Sequence, residues 1–369
     1  MKNLMRPAIV IPIAIWLIAR IAGHFISIEA QCHGGWTPEC WSRWDSGLYL
    51  QIATQGHNLT PCEDWPGAWC GNAGWAPLYP MLMRMFGNLG MNMAQSGLWI
   101  SQLCFLGLLL VCAKLWEIND FSLRSWLGVA LVGFAPGSIY FQALFPVSMA
   151  AMLLALVHYF IKKESWWLAG LCGFFAVLTY SSGFFLLMGF GFYGLFRWMK
   201  EKKFPWEFAL KVGIPPVLGL LVWFGYDYLS TGHWDAMFLI QQKYGHGLHS
   251  PIKHFGQHLR ILFGHSWGMK SWVEVQNLVL MILVLFSAYW AFRHKNSPFS
   301  RFQGWYMFIF WMVPYSVGMD VSLYRGCALL TPGYSLFKNL PIAAMLVMLA
   351  FFLIMWFPMA VLFIQSIII

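Results

Sequence analysis

Charge is what this chain has least of. Only 10% of its 369 residues are Asp, Glu, Lys or Arg, while 59% are hydrophobic. Soluble globular domains carry roughly 25% charged residues, so an ordinary water-soluble fold is excluded. Mean hydropathy is +0.61. No low-complexity linker, clear internal repeat or stretch of soluble-domain composition interrupts the sequence. Acids are scarcer than bases, 14 against 23, which leaves a net charge of +9. That excess invites a nucleic-acid reading. Lys and Arg retained in cytoplasmic loops account for it without a polyanionic partner. A Gly-rich phosphate loop is also missing, so no nucleotide-sugar site is implied. What abounds instead is tryptophan, with 22 copies, part of it the aromatic belt of a membrane interface.

Apolar runs lie near 7–25, 95–116, 125–143, 147–161, 166–181, 183–197, 208–229, 277–293, 302–319, 324–338 and 341–366. Several are shorter than the ~20 residues of a usual span. The expectation is an all-α polytopic membrane protein, one domain over 1–369, with about ten to eleven transmembrane helices. Met1 to Arg6 looks like a signal-peptide n-region. The apolar stretch behind it, from about Pro7 to Phe25, is too long for an h-region, and Ala22-Gly23-His24 is a poor cleavage site. It therefore reads as a retained signal-anchor helix.

Alternating from a cytoplasmic N-terminus puts 15 of the 23 Lys and Arg residues inside, in short loops where charge bias is informative. Two large loops, 26–94 and 230–276, then fall on the other side. That side holds nine of the 11 histidines and nine of the 14 acids. The working face is expected to be non-cytoplasmic, in a cell inner or plasma membrane, or in the endoplasmic reticulum of a eukaryote.

Of eight cysteines, Cys104, Cys112, Cys172 and Cys327 fall in or beside apolar runs, where Cys is usually a small buried residue. Cys32, Cys40, Cys62 and Cys70 all fall in the first outer loop. Four cysteines allow three pairings. An oxidising compartment and short spacing favour Cys32–Cys40 and Cys62–Cys70. The alternative is a zinc site, since His33 adjoins Cys32, but Cys-x7-Cys is not a usual zinc spacing. No metal is expected.

The first loop also carries Arg43-Trp44-Asp45-Ser46-Gly47-Leu48-Tyr49, running on to Gly56-His57. Leu48, Tyr49, Ile52 and Ala53 recur at helical spacing, as in a short amphipathic helix on a membrane surface. Asp45 then has two readings. It is a helix N-cap, or a general base for chemistry on a membrane-bound substrate. Arg325, near a span mouth, is a snorkelling anchor or a clamp on a lipid-linked phosphate. Arg20 and His24 lie one turn apart on the first span and reach toward Asp45, or toward a phosphate, or simply anchor the interface. In the second loop Lys243, His246, His249, Lys253, His254, His258 and Arg260 form a dense basic segment. A metal reading lacks a nearby acid, so a rim for phosphate or sugar is preferred over a merely solvated loop.

Trp44-Asp45-Ser46-x-x-Tyr49, followed by Ile52-Ala53-x-x-Gly56 and Ala76-Pro77-Leu78-Tyr79-Pro80, resembles the first luminal loop of the GPI mannosyltransferase II family and its prokaryotic relatives. That family belongs to the GT-C superfamily of polytopic glycosyltransferases. Weaker likenesses follow in order at 135–141, 178–183, 231–251 and 322–325, with Pro332 beyond. The chain departs from the family at three points. Phe145-Pro146-Val147-Ser148 lacks the acid that follows the short loop between spans three and four; Tyr180 stands for an Arg; and Gly56-His57 stands for Gly-Tyr.

The resemblance implies a GT-C-like bundle with two large non-cytoplasmic loops. It implies transfer of a sugar (mannose or another hexose or pentose) from a polyprenyl-phosphate donor to a lipid, glycan or protein acceptor, with inversion. Asp45 would be the base. Arg325 and Arg260, with Arg20, His24, Lys243, Trp44, Tyr49 and His57, would meet donor phosphate and sugar. Beyond the lipid-linked donor no cofactor is implied. Two alternatives stay open: a lipid or ion transporter or flippase, and an inactive relative that binds a lipid carrier.

Overall fold

The computed structural model describes residues 6–244, 247–248, 250–264, 267–268, 271–293, 298–317 and 323–368, without the side chains of 254, 258, 292, 323 and 324. The chain opens with α1 (Pro7–Glu29), α2 (Pro38–Trp41) and α3 (Ser46–Gln55). A small hairpin follows, β1 (Leu59–Pro61) and β2 (Trp69–Gly71), antiparallel with Thr60 opposite Cys70. Then come α4 (Leu78–Asn88), α5 (Met93–Leu115), α6 (Leu123–Gly133), α7 (Val147–Lys162), α8 (Trp166–Thr179) and α9 (Phe185–Glu201). The rest comprises α10 (Trp206–Phe208), α11 (Ile214–Thr231), α12 (Ala236–Gln242), α13 (Pro251–Gly264), α14 (Ser271–Arg293), α15 (Pro298–Ser316), α16 (Leu323–Gly326) and α17 (Ile342–Ile364).

Each apolar run named above is helical, in whole or part, over its described residues. Among the described residues, five helices are both long and apolar enough to cross a membrane. They are Pro7–Glu29, Met93–Leu115, Trp206–Thr231, Ser271–Ala291 and Ile342–Ile364. Leu123–Gly133, Val147–Lys162 and Trp166–Thr179 are apolar but shorter. The protein is thus an all-α membrane protein.

Local chemistry explains several boundaries. Asn92 starts α5, its Oδ1 accepting from the backbone N–H groups of Ala94 and Gln95. Beyond α6 the backbone turns through Gly137 at φ +78°, a left-handed conformation that favours glycine. Pro215 and Pro216 lack N–H groups and so cannot bond back to the Lys211 and Val212 carbonyls four residues earlier. The turn before them, Ala209–Gly213, is correspondingly a π-helix. Helix α8 seats itself there. A Cβ at Gly170 would lie 2.0 Å from the Lys211 carbonyl oxygen, and one at Gly219 would lie 2.7 Å from that of Phe174. Small residues let the two backbones approach, as is usual between helices in lipid.

Most of the run near 324–338 is not α-helical. Cys327–Asn339 is a buried 3₁₀-helix of 13 residues, far beyond the three or four common for that geometry. Helix α15 supports it. Tyr306 donates to the Leu329 carbonyl, and Gln303 Nε2 donates to Ser335 Oγ at 2.6 Å. Arg325 sits two residues before this buried segment, which anchors its position.

Candidate functional site

Asp45 precedes α3 in the N-cap position, but its carboxylate makes no capping bond. Trp44 before it has φ +51°. Asp45 instead meets Arg325, whose Nη1 donates to Oδ2 at 2.6 Å. The two side chains are 18% and 12% exposed, so the pair is part-buried rather than solvated. Two residues 280 positions apart, each a site candidate from sequence, are therefore in direct contact. Arg325 Nε is buried with no hydrogen-bond partner among the described residues.

Both flanks of Asp45 are pinned. Ser46 Oγ donates to the Leu144 carbonyl at 3.0 Å and accepts from Arg43 N at 3.1 Å. Leu144 N donates back to Trp41 O at 3.0 Å. Arg43 Nε donates to Ile364 O at 2.8 Å, tying the motif to the end of α17. At the other end of α3, Arg84 donates to the Ile52 and Ala53 carbonyls, the second an acceptor that a helix end leaves open.

Aromatic residues wall the pair. The Arg325 guanidinium lies 5.4 Å from the Phe145 ring centroid, and Tyr49 and Tyr140 pack edge-on against that ring. Burial pushes the Tyr49 hydroxyl well above the usual phenol range, and Tyr180 and Asp45 add to the effect. Burial also raises Tyr244, again with Asp45 contributing. Both stay neutral O–H groups near the carboxylate at physiological pH.

The other sequence candidates are dispersed. Tyr49 is buried beside the pair, while Trp44 is 45% exposed. His57 is buried and its Nδ1 lies 2.5 Å from Asp227 Oδ1 on α11, with the Tyr226 ring edge-on at 4.7 Å. His57 Nε2 and Asp227 Oδ2 have no partner among the described residues. Arg20 does not join Asp45; it lies under Trp36, 3.4 Å from that ring's centroid. His24 is exposed one turn on. Lys243 Nζ lies 3.7 Å from Cys70 Sγ and 5.0 Å from the Tyr244 ring. Arg260 is exposed on α13. His246, His249 and Ser322, and the side chains of His254 and His258, lie outside the described residues.

The four loop cysteines pair as Cys32–Cys40 and Cys62–Cys70, with Cα separations of 5.8 and 5.0 Å. Among the described residues no cluster of His, Cys, Asp and Glu could hold a metal ion. Sequence reasoning did not place Tyr140, Tyr244 or Phe145 at the site, and noticed Tyr180 only as a departure. No local spacing marks them, because each comes from a different element. The chain matches no protein-family model and no curated protein.

Proposed function

We propose that the protein is a GT-C-type membrane glycosyltransferase, a relative of the GPI mannosyltransferase II family, using a sugar on polyprenyl phosphate. The observation that carries this is the Asp45–Arg325 contact. It joins a carboxylate suited to take a proton with a cation suited to hold a phosphate, inside a tyrosine-lined, part-buried setting. In the reaction Asp45 takes the proton of the acceptor hydroxyl. The acceptor oxygen bonds to the anomeric carbon as the bond to the donor phosphate oxygen breaks. The leaving phosphate keeps the electron pair and is met by the guanidinium fork of Arg325. Attack opposite the leaving group inverts the anomeric centre. We place the chemistry on the non-cytoplasmic face, in a polytopic arrangement.

The test is direct. Purified protein is incubated with polyprenyl-phosphate sugars and release of free polyprenyl phosphate is followed. Asp45→Asn keeps an oxygen that can accept from Arg325 but leaves the guanidinium without its counter-ion, so its unfolding midpoint is measured alongside turnover, which should fall roughly 10²–10⁴-fold. Full activity in Asp45→Asn would remove the base from this mechanism.

A second reading is lipid or ion transport. It is favoured by Asp227, an ionisable residue near the end of a candidate spanning helix that is buried against His57 of the first loop, since ionisable residues within spans commonly mark transport pathways. Under it, reconstituted vesicles show transport that survives Asp45→Asn and fails in Asp227→Asn.

A further inference from the structure

The Cys32–Cys40 disulfide closes a short loop that folds back over the end of α1. Its tip carries Trp36, whose ring covers the Arg20 guanidinium at 3.4 Å. Trp36 is itself fixed, with Nε1 donating to the Gln142 carbonyl at 3.0 Å and its ring edge-on to Trp99 at 5.7 Å. The same loop meets His24. Gly35 has φ +65°, and a Cβ there would lie 2.3 Å from His24 Nδ1, so only glycine fits beneath that imidazole. Gln142 reaches α1 as well, Nε2 donating to Ala19 O at 3.1 Å.

This assembly holds a cation without an anion. Among the described residues no carboxylate lies within ion-pair distance of Arg20, and its Nη1 is buried with no hydrogen-bond partner. Gln142 Oε1, packed against Gly23 of α1, is likewise unpartnered among the described residues. A charge on a membrane-crossing helix is costly unless paired. Stacking on Trp36 shields one face of the guanidinium and leaves its edge, the part that matches phosphate geometry. His24 is exposed one turn further out and adds a donor on the same side of α1.

We propose that Arg20, lidded by Trp36, is an anion subsite for the phosphate of a lipid headgroup, separate from the Asp45–Arg325 pair, and that the Cys32–Cys40 disulfide holds the lid in register. The proposal does not depend on the reaction assigned to that pair, and its test reads binding rather than turnover.

Detergent-solubilised protein is titrated with short-chain phosphatidylglycerol, with diacylglycerol of the same chains, and with inorganic phosphate, and bound ligand is counted by native mass spectrometry. Wild type should retain phosphatidylglycerol and not diacylglycerol. Arg20→Gln should bind it ~10–100-fold more weakly, the loss expected for one charge-assisted hydrogen-bonding group. Arg20→Lys, with charge but no fork, should fall between. Trp36→Leu and the double variant Cys32→Ser/Cys40→Ser should weaken retention as well. Inorganic phosphate bound in an Arg20-dependent way makes free phosphate a sufficient ligand; dependence on phosphatidylglycerol alone makes the headgroup the source. Equal retention of diacylglycerol, or unchanged retention in Arg20→Gln, overturns the proposal. Should Arg20→Gln fail to fold, unchanged retention in both Arg20→Lys and Trp36→Leu overturns it equally.

Discussion

An arginine side chain carries five N–H donors; Arg325 commits Nη1 to Asp45 at 2.6 Å and also hydrogen-bonds Tyr180, while its Nε has no partner among the described residues. The planar fork is thus only partly used within the protein. Arg325→Lys keeps the charge and loses the fork, so turnover should fall without vanishing. Arg325→Ala should cost more in turnover and also in stability. It leaves the Asp45 carboxylate part-buried without its partner, a loss approaching the about 3–5 kcal/mol of a broken buried pair. Turnover and denaturation midpoints measured side by side separate the two effects; wild-type turnover in both variants would make Arg325 an anchor only. Asp45 was legible from its motif, and Arg325 from an ionisable residue at a span mouth. Their contact was not, because nothing local to residue 45 points to residue 325. The N-cap reading of Asp45 failed for a similar reason: a tertiary partner outcompeted the two nearest backbone N–H groups. His57 was singled out as a ligand-facing residue, yet it is buried against Asp227, and no sequence spacing links positions on two such distant elements.

Helices were the easiest part to read, since long apolar runs leave the backbone little choice in lipid. Their subtypes were harder. An apolar run has no signature that separates α from 3₁₀, so Cys327–Asn339 looked like one more span. Close packing was also hidden, because a glycine's neighbour is known only once the fold is. Gly170 and Gly189 make the contrast testable. Alanine at Gly170 meets the Lys211 carbonyl at 2.0 Å, and alanine at Gly189 meets nothing within 4 Å. Gly170→Ala should lower the unfolding midpoint through overpacking of about 1–3 kcal/mol. Gly189→Ala should hold or raise it, by up to about 1 kcal/mol from the better helix former. The first-loop staples are checked by mass. Cys104, Cys112, Cys172 and Cys327 are free and the other four are paired. Denatured, unreduced protein should therefore take four alkyl groups, and reduction should add four more. Eight before reduction would remove both disulfides.

Across the molecule, distant segments are gathered at a few charged points. Glu117, after α5, receives Lys162 Nζ at 2.6 Å and Lys338 Nζ at 2.9 Å. Arg124 Nη1 closes the same end by donating to the Lys338 and Leu340 carbonyls, each at 2.7 Å. Hydrogen bonds from Lys162 and then Lys338 hold the Glu117 carboxyl down at about 2. A carboxyl depressed in the folded state contributes stability that is present above its unfolded value and lost as pH falls. The window here runs from about 4.5 down to about 2. Glu117 is 57% exposed, so solvent screening limits the contribution to about 0.2–1 kcal/mol. Glu117→Gln should lower the unfolding midpoint at neutral pH and flatten its decline across that window; an unchanged acid limb would mean the lysines contribute nothing there.

The contact between Asp45 and Arg325 has a consequence for how the protein is made. Ribosomes deliver residue 45 first, and the guanidinium follows 280 residues later. At about 5–20 residues per second that is a delay on the order of 15–55 s. Throughout it the carboxylate is already in place in the nascent chain and the site does not exist. Chains released early, or stalled before the 3₁₀ segment docks, carry the Asp45 motif without its arginine partner. Synthesis order alone therefore sets when this ion pair can first form.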